Sequence, residues 1–424
     1  MNSGTDLLRR WYRNGNWSQY GLLVACVAGA LSLMLTARAL VALAPVTAVI
    51  AALLNPGLRK ALPLWLRNRG AQRLLGLYLL LPLTWWHTQD WPVWRHEVFR
   101  QLPLIGVPLA FALAVPLSRQ QRFGVGALFV VGNALLGLAT VGKYLLNPDE
   151  AHRLINIGQN VGSVTGVFHI HFGLMLALSS FFGFSLSQEP VAGRFGKWAL
   201  LAAAGATAVS LHLLAYRTGL LAFYLGLAAT TMVLLFRRPA WALGLLVAGL
   251  LLPLVAYYSF ESVRQRYRST KYDVEQFYQQ RDINDFSLAR RLAAWQTAGV
   301  LIQQNPVLGI APADVRQAMM DQYSWRNYGL RPENRVMIHN QYLHYFVGGG
   351  VVGFAAWLWV LIGPLWQPAT RRNPYVRHFL LIFGAAALAD SLLELQIGFN
   401  LFVFLYGFLV VATERRAQAR SVTQ

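Results

Sequence analysis

The chain is poor in charge and almost without cysteine. Only 13% of its 424 residues are Asp, Glu, Lys or Arg, about half the share in a soluble globular protein. Cys26 is its single cysteine and lies in an apolar stretch, which excludes a disulfide framework and a cysteine metal site. Acid is scarcer than base: 17 Asp and Glu stand against 37 Lys and Arg, a net charge of +20. In a soluble chain that balance points to nucleic acid. Here 56% of residues are hydrophobic, so it reads as positive loops on one side of a membrane in contact with acidic lipids, with no nucleic-acid partner. Solenoid repeats, low-complexity tracts and coiled-coil heptads are also missing.

What the chain does have is long apolar runs. A hydrocarbon core about 30 Å thick takes roughly 20 residues of helix. Twelve candidate spans lie near 19–37, 40–55, 72–88, 101–118, 123–146, 167–187, 196–216, 218–236, 239–259, 339–366, 376–393 and 396–413. The expected fold is therefore all-α: a polytopic membrane protein with about 12 transmembrane helices and one large helical loop. Residues 1–259 hold spans one to nine, 260–338 the loop, and 339–424 spans ten to twelve with a tail. Arg9, Arg10 and Arg13 precede the first run without a small-residue cleavage pattern, which predicts an uncleaved first span. Twenty of the 37 cations fall in the termini and alternate connections of one side, six in the short connections of the other, and 11 in the loop. The positive-inside rule then puts both termini in the cytoplasm and the loop on the far face.

The loop, about 79 residues long and rich in charge and Tyr, is expected to form a small helical cap without an independent core. Its clearest element runs from Ser287 to Gln304, where Leu288, Leu292, Trp295 and Ile302 share a helical face. Ser287 reads as its N-cap and Asn305-Pro306 as its stop. An apolar face of this kind suits a helix lying on the bilayer surface.

Cations are sparse in the short far-side loops, so each needs a reason. Arg217, in YRTGLL, has no acidic residue near it in sequence. Two readings are open: an interfacial arginine that snorkels, or a fixed cation for phosphate, which a guanidinium grips through its planar fork of donors. Arg264, Arg266 and Arg268, with Arg290 and Arg291, extend the pattern, while Lys271 is the loop's sole lysine. They read either as a solvated charged face or as a guanidinium cluster for an anionic headgroup or lipid-linked diphosphate.

His339 stands where the charged loop meets an apolar helix, and histidine suits general-base work because imidazole titrates near neutral pH. The plainer alternative is an interfacial histidine beside Asn340. His344 follows five residues on, and His169 and His171 are two apart, so neither pair has the spacing of helical metal ligands. The loop holds no acidic cluster with metal spacing either, which predicts a site without metal. Asp390 and Glu394, at i and i+4 within expected spans, are open to a packing, proton-carrying or counter-charge role. Gly348, Gly349, Gly350 and Gly353 follow the histidine and are expected to admit a neighbouring helix or a lipid chain.

His339-Asn340, nine further residues and Gly350-x-x-Gly353 resemble the His-Asn pattern of bacterial O-antigen ligases. Arg217-x-x-x-Leu221 resembles their Arg-x3-Leu motif. The segment Arg291-Leu-Ala-Ala-Trp295, with Asn305-Pro306-Val-Leu-Gly309, is similar to the loop signature of the wider ligase and polymerase superfamily. Twelve spans with one large loop after the ninth fit the same family. The resemblance implies a C-type membrane glycosyltransferase of the bacterial inner membrane with a periplasmic active site. Its donor would be a glycan on undecaprenyl pyrophosphate, and its acceptor lipid A–core oligosaccharide. It further implies Arg217 and Arg291 on the pyrophosphate with Arg266 as a third, Arg264 and Arg290 as further substrate contacts, and His339 as base. Asn340 would orient the histidine or a sugar, and neither metal nor cofactor would be needed. An O-antigen polymerase and a protein O-oligosaccharyltransferase share that donor chemistry. A lipid-linked-sugar transporter is a rival of another class, although such folds carry internal repeats that are missing here.

Overall fold

The computed structural model describes residues 3–147, 149, 153 and 160–422. Those residues form helices and connections without any strand. Among the described residues seven helices are long and apolar enough to cross a membrane, or eight if the bent pair Arg38–Leu53 and Leu58–Leu66, angled at 117°, forms one span. The other expected spans rest on elements that do not qualify alone, such as Arg69–Leu79 and Pro103–Leu113, each 11 residues, and Pro374–Ala387, 14 residues. Apolar runs interrupted by Pro45, Pro82 or Pro108 read as continuous in hydropathy but carry a residue that removes a helical hydrogen bond.

The helix His169–Ser187 is the hub, and 83% of its apolar window is buried. Around it pack Arg119–Leu146, Gly193–Leu213, Arg217–Leu235 and Pro374–Ala387. The helix Pro239–Ser259 is the opposite case: it is almost wholly apolar, only 11% of its window is buried, and it packs mainly on Arg217–Leu235. Its bare face fits lipid. Local sequence explains the starts. Ser118 and Gln121 form a reciprocal capping box at Arg119, and Asn373 caps a helix with Pro374 in its first turn. A Cβ on Gly219 would stand 2.7 Å from a backbone carbon of Gly173, so only glycine allows the hub and the Arg217 helix to cross this closely.

The loop builds a three-helix cap, Glu261–Tyr278, Ser287–Gln304 and Val315–Trp325. It packs around a hydrophobic cluster that includes Ala293, Ala298, Leu301, Met319 and Tyr323 and that Val347 of the following membrane helix joins. The buried face of Ser287–Gln304 is lined by small residues, Ala289, Ala293, Ala294, Thr297 and Ala298, while Leu288 and Leu292 are only half-buried. This helix is thus packed inside the cap. Its first turn is capped from another helix, because the Leu288 N–H donates to the Asp273 carboxylate at 2.9 Å and Ser287 makes no cap bond.

The helix Gln341–Ile362 is kinked at Gly350, whose φ is +58°. The glycine step receives the loop segment Asn305–Gly309 rather than a helix or a lipid chain. Val351 N–H donates to the Pro306 carbonyl at 2.9 Å and Ile310 N–H to that of Val347 at 3.0 Å. A Cβ on Gly350 would lie 2.2 Å from the Val307 oxygen. Two stretches singled out separately in sequence are therefore one joint, which ties the cap to the membrane helix just below His339.

Candidate functional site

The site lies at the N-terminal end of the hub, where the cap covers the bundle. His339 has a φ of +47°, a left-handed conformation that costs a non-glycine residue about 1–2 kcal/mol. Asn340 starts the next helix: its Oδ1 accepts from the N–H groups of Tyr342 and Leu343 at 3.0 and 3.1 Å. The asparagine oxygen is thus engaged in capping, and the residue bonded to the imidazole is a different one. His339 Nδ1 lies 2.7 Å from Asp390 Oδ1.

Asp390 reaches that position because the helix expected over 376–393 ends at Ala387. Residues 388–395 form a turn instead of continuing the helix. The turn is fastened to the start of the next span: Asn340 N–H donates to Ser391 Oγ at 3.2 Å and Leu393 N–H to Gln341 Oε1 at 2.8 Å. Asp390 and Glu394, expected on one helical face, therefore separate. Asp390 turns to His339, while Glu394 lies 3.2 Å from His344 Nε2 and 3.9 Å from Arg100. With Nδ1–H donating to the buried carboxylate, the imidazole keeps Nε2 as its basic nitrogen.

Three arginines converge beside this pair. Arg291, on the cap helix Ser287–Gln304, donates to the Ala389 carbonyl. Burial pushes its guanidinium below the ordinary value, and the Asp390 charge draws it back up. Arg217, the first residue of its helix, donates to Ser269 Oγ at 2.9 Å and stands 3.7 Å from the Asp273 carboxylate. Its Nε is buried with no hydrogen-bond partner among the described residues. Arg266 is buried and donates to Asn160 Oδ1 at 2.7 Å. Burial, then the neighbouring charge of Arg217, push it down to about 10. Burial also raises the Asp273 carboxyl, against the pull of Leu288 N–H and Arg217.

Cationic charge outweighs anionic charge in this group. Arg217 faces the like charges of Arg266 and Arg291, and the carboxylates near the three arginines are Asp273 and Asp390. Such a cluster is costly until an anion occupies it. No group of three or more His, Cys, Asp or Glu among the described residues could hold a metal ion.

Other candidates fall outside the group. Arg264 is held by Glu261 at 2.5 Å and by the Tyr258 carbonyl. Arg290 donates to Asn334 Oδ1 at 3.2 Å, within the cap. His169, set aside in sequence for its spacing to His171, lies close enough to feel Arg266, Arg291 and Asp390. The sequence signal for Asp390 was an acid in an apolar run, and for His169 a histidine opening an apolar span; neither signal names a partner.

This arrangement can hold a multiply charged phosphate ester and offer it a base. Residues 200–358 match the O-antigen ligase family model. The matched segment, consistent with the O-antigen ligase and polymerase superfamily, contains the three arginines, His339 and the Gly350 joint, and stops short of Asp390. A stretch of 103 residues is also 26% identical to an uncharacterized protein of Haemophilus influenzae strain Rd, covering 24% of this chain and 26% of that protein. The similarity thus spans about a quarter of that relative's length.

Proposed function

We propose that the chain is an inverting glycosyltransferase of lipopolysaccharide biosynthesis. It moves O-antigen polysaccharide from undecaprenyl pyrophosphate to lipid A–core oligosaccharide. The observation that carries this reading is the His339–Asp390 pair, 2.7 Å apart, set beside Arg217, Arg266 and Arg291. The acceptor hydroxyl attacks the anomeric carbon while His339 Nε2 takes its proton. The bond from that carbon to the pyrophosphate oxygen breaks, and the electron pair leaves on undecaprenyl pyrophosphate. Direct displacement inverts the anomeric centre. Asp390 holds the imidazole and balances the imidazolium that forms. Arg217 and Arg291, with Arg266, take up charge on the leaving group, work that does not require a metal ion.

The excess of arginine at the other end of the bundle supports cytoplasmic termini and a periplasmic site in the inner membrane. The cap lies where it could meet a phosphorylated acceptor. Single His339→Ala, Arg217→Ala and Arg291→Ala variants, tested in a ligase-deficient host, should leave lipopolysaccharide without its O-antigen ladder. A full ladder from stably inserted His339→Ala would exclude the histidine as base. The family match also spans polymerases, which give a different result: deleting a polymerase leaves core bearing one O-unit, whereas deleting a ligase leaves bare core.

A further inference from the structure

A large cavity lies at the other end of the hub from His339. The hub's 19 residues separate the two ends by about 28 Å, and the cavity climbs only as far as Ser180 and Phe181. Its volume is about 1380 Å³, above the range of about 300–1,000 Å³ for drug-sized ligands. The deep walls are aromatic and aliphatic, with Phe129, Phe181, Phe182, Phe223, Leu227 and Phe404 among them. The mouth is cationic: Arg122, Lys197, Arg237, Arg238, Arg377 and Arg416 line it.

These charges are not balanced from within the cavity. Glu189 is the single acid of the lining among the described residues, and Arg119 holds it at 2.6 Å. Arg377 feels the like charge of Arg237, and Arg416 those of Arg122, Arg415 and Arg420. His378, also in the lining, has Nδ1 buried without a hydrogen-bond partner among the described residues. A solvated face of surface arginines needs no apolar recess behind it. Here the recess and the cations are one continuous space, the shape and polarity of an amphiphile with a negative head.

We propose that this cavity binds one anionic phospholipid, with an acyl chain among the phenylalanines and the phosphate among the arginines of the mouth. The guanidiniums supply charge-assisted hydrogen bonds that a zwitterionic head, carrying its own cation, uses less well. The binding is separate from the chemistry at His339, and its test does not read glycosyl transfer.

The test is native mass spectrometry of the full chain released from detergent, titrated with dioleoylphosphatidylglycerol or dioleoylphosphatidylcholine. The wild type should retain one phosphatidylglycerol about tenfold better than phosphatidylcholine. Arg237→Gln with Arg377→Gln should remove that preference. Gly205→Trp should lower retention of both lipids, because Gly205 lines the cavity with open space where its side chain would begin. Equal retention of the two lipids by the wild type overturns the proposal, as does wild-type retention by the arginine variant, which decides the matter even if Gly205→Trp fails to fold. Inorganic pyrophosphate serves as the chain-free probe. If it raises the melting temperature of the wild type more than that of the Arg237→Gln, Arg377→Gln variant while phosphatidylglycerol is not retained, the cavity takes a free anion and the lipid is excluded; the arginines beside His339 are present in both proteins and cancel from the comparison.

Discussion

Replacing Asp390 by Asn is the most informative single change at the His339 site. The amide keeps the shape of the side chain, and its oxygen can still accept the Ser391 N–H now held at 2.9 Å. It removes the negative charge that stands beside the imidazole when His339 carries a proton. Taking about 4 Å between charge centres and an effective dielectric of about 20, that charge stabilises imidazolium by about 4 kcal/mol. The Asp390 side chain is 6% exposed but that of His339 is 33% exposed, so solvent screens part of that figure. Asn can also accept or donate toward Nδ1, so the tautomer with Nε2 as base is no longer enforced. The expected result is a fall in kcat of about 10³-fold with KM changed far less. The assay is initial-rate transfer of a lipid-linked glycan by purified protein in bilayer discs, with melting temperature checked in parallel. A folded Asp390→Asn variant within about fivefold of wild-type kcat would refute Asp390 as the residue that charges and orients the base. A loss confined to KM would instead assign the carboxylate to substrate binding.

Three further outcomes follow from the same geometry. Gly350→Ala places a methyl 2.2 Å from the Val307 oxygen at a φ of +58°, so the joint between cap and span must open; the melting temperature should drop by several degrees, as a loss of about 2 kcal/mol would give, and protease should cut sooner near 305–309. Glu414→Ala leaves Arg73 buried opposite no carboxylate, since the pair lies 3.0 Å apart with each side chain 2% exposed; the cost should be about 3–5 kcal/mol, read as a lower melting temperature, and retained stability would mean that Arg73 moves out to solvent. Treatment with EDTA should leave transfer by the purified protein unchanged, and a loss restored by divalent ions would replace the guanidinium scheme with a metal one.

How much of this was legible in sequence differs from residue to residue. Helix type and rough position followed from hydropathy: the span expected at 239–259 forms as Pro239–Ser259, and that at 167–187 as His169–Ser187. The count of twelve is not confirmed: among the described residues seven or eight spans qualify by length and composition, and hydropathy does not see the bends and short helices that break the other runs. Arg217, Arg291 and His339 could be chosen because a cation or an imidazole at a helix boundary is costly and calls for a reason. Arg264 and Arg266 could not be told apart by sequence. They lie two residues apart, and two residues turn a helix by about 200°, which sends one to Glu261 and the other to Asn160.

By itself, the sequence determined the solvent this protein lives in, the asymmetry of its charge and the residue types available for chemistry. Those properties are sums and periodicities along the chain, so they survive without any knowledge of contacts. Tertiary structure alone decided which carboxylate meets which histidine. Asp390 and His339 are brought together across 51 positions only because a helix stops at Ala387 and a turn is fastened to Asn340 and Gln341. It also decided that the glycine step receives the Asn305–Gly309 segment, and that the arginines at the other end border an apolar cavity. Each of these depends on the spacing of helices, which packing sets and local sequence does not encode.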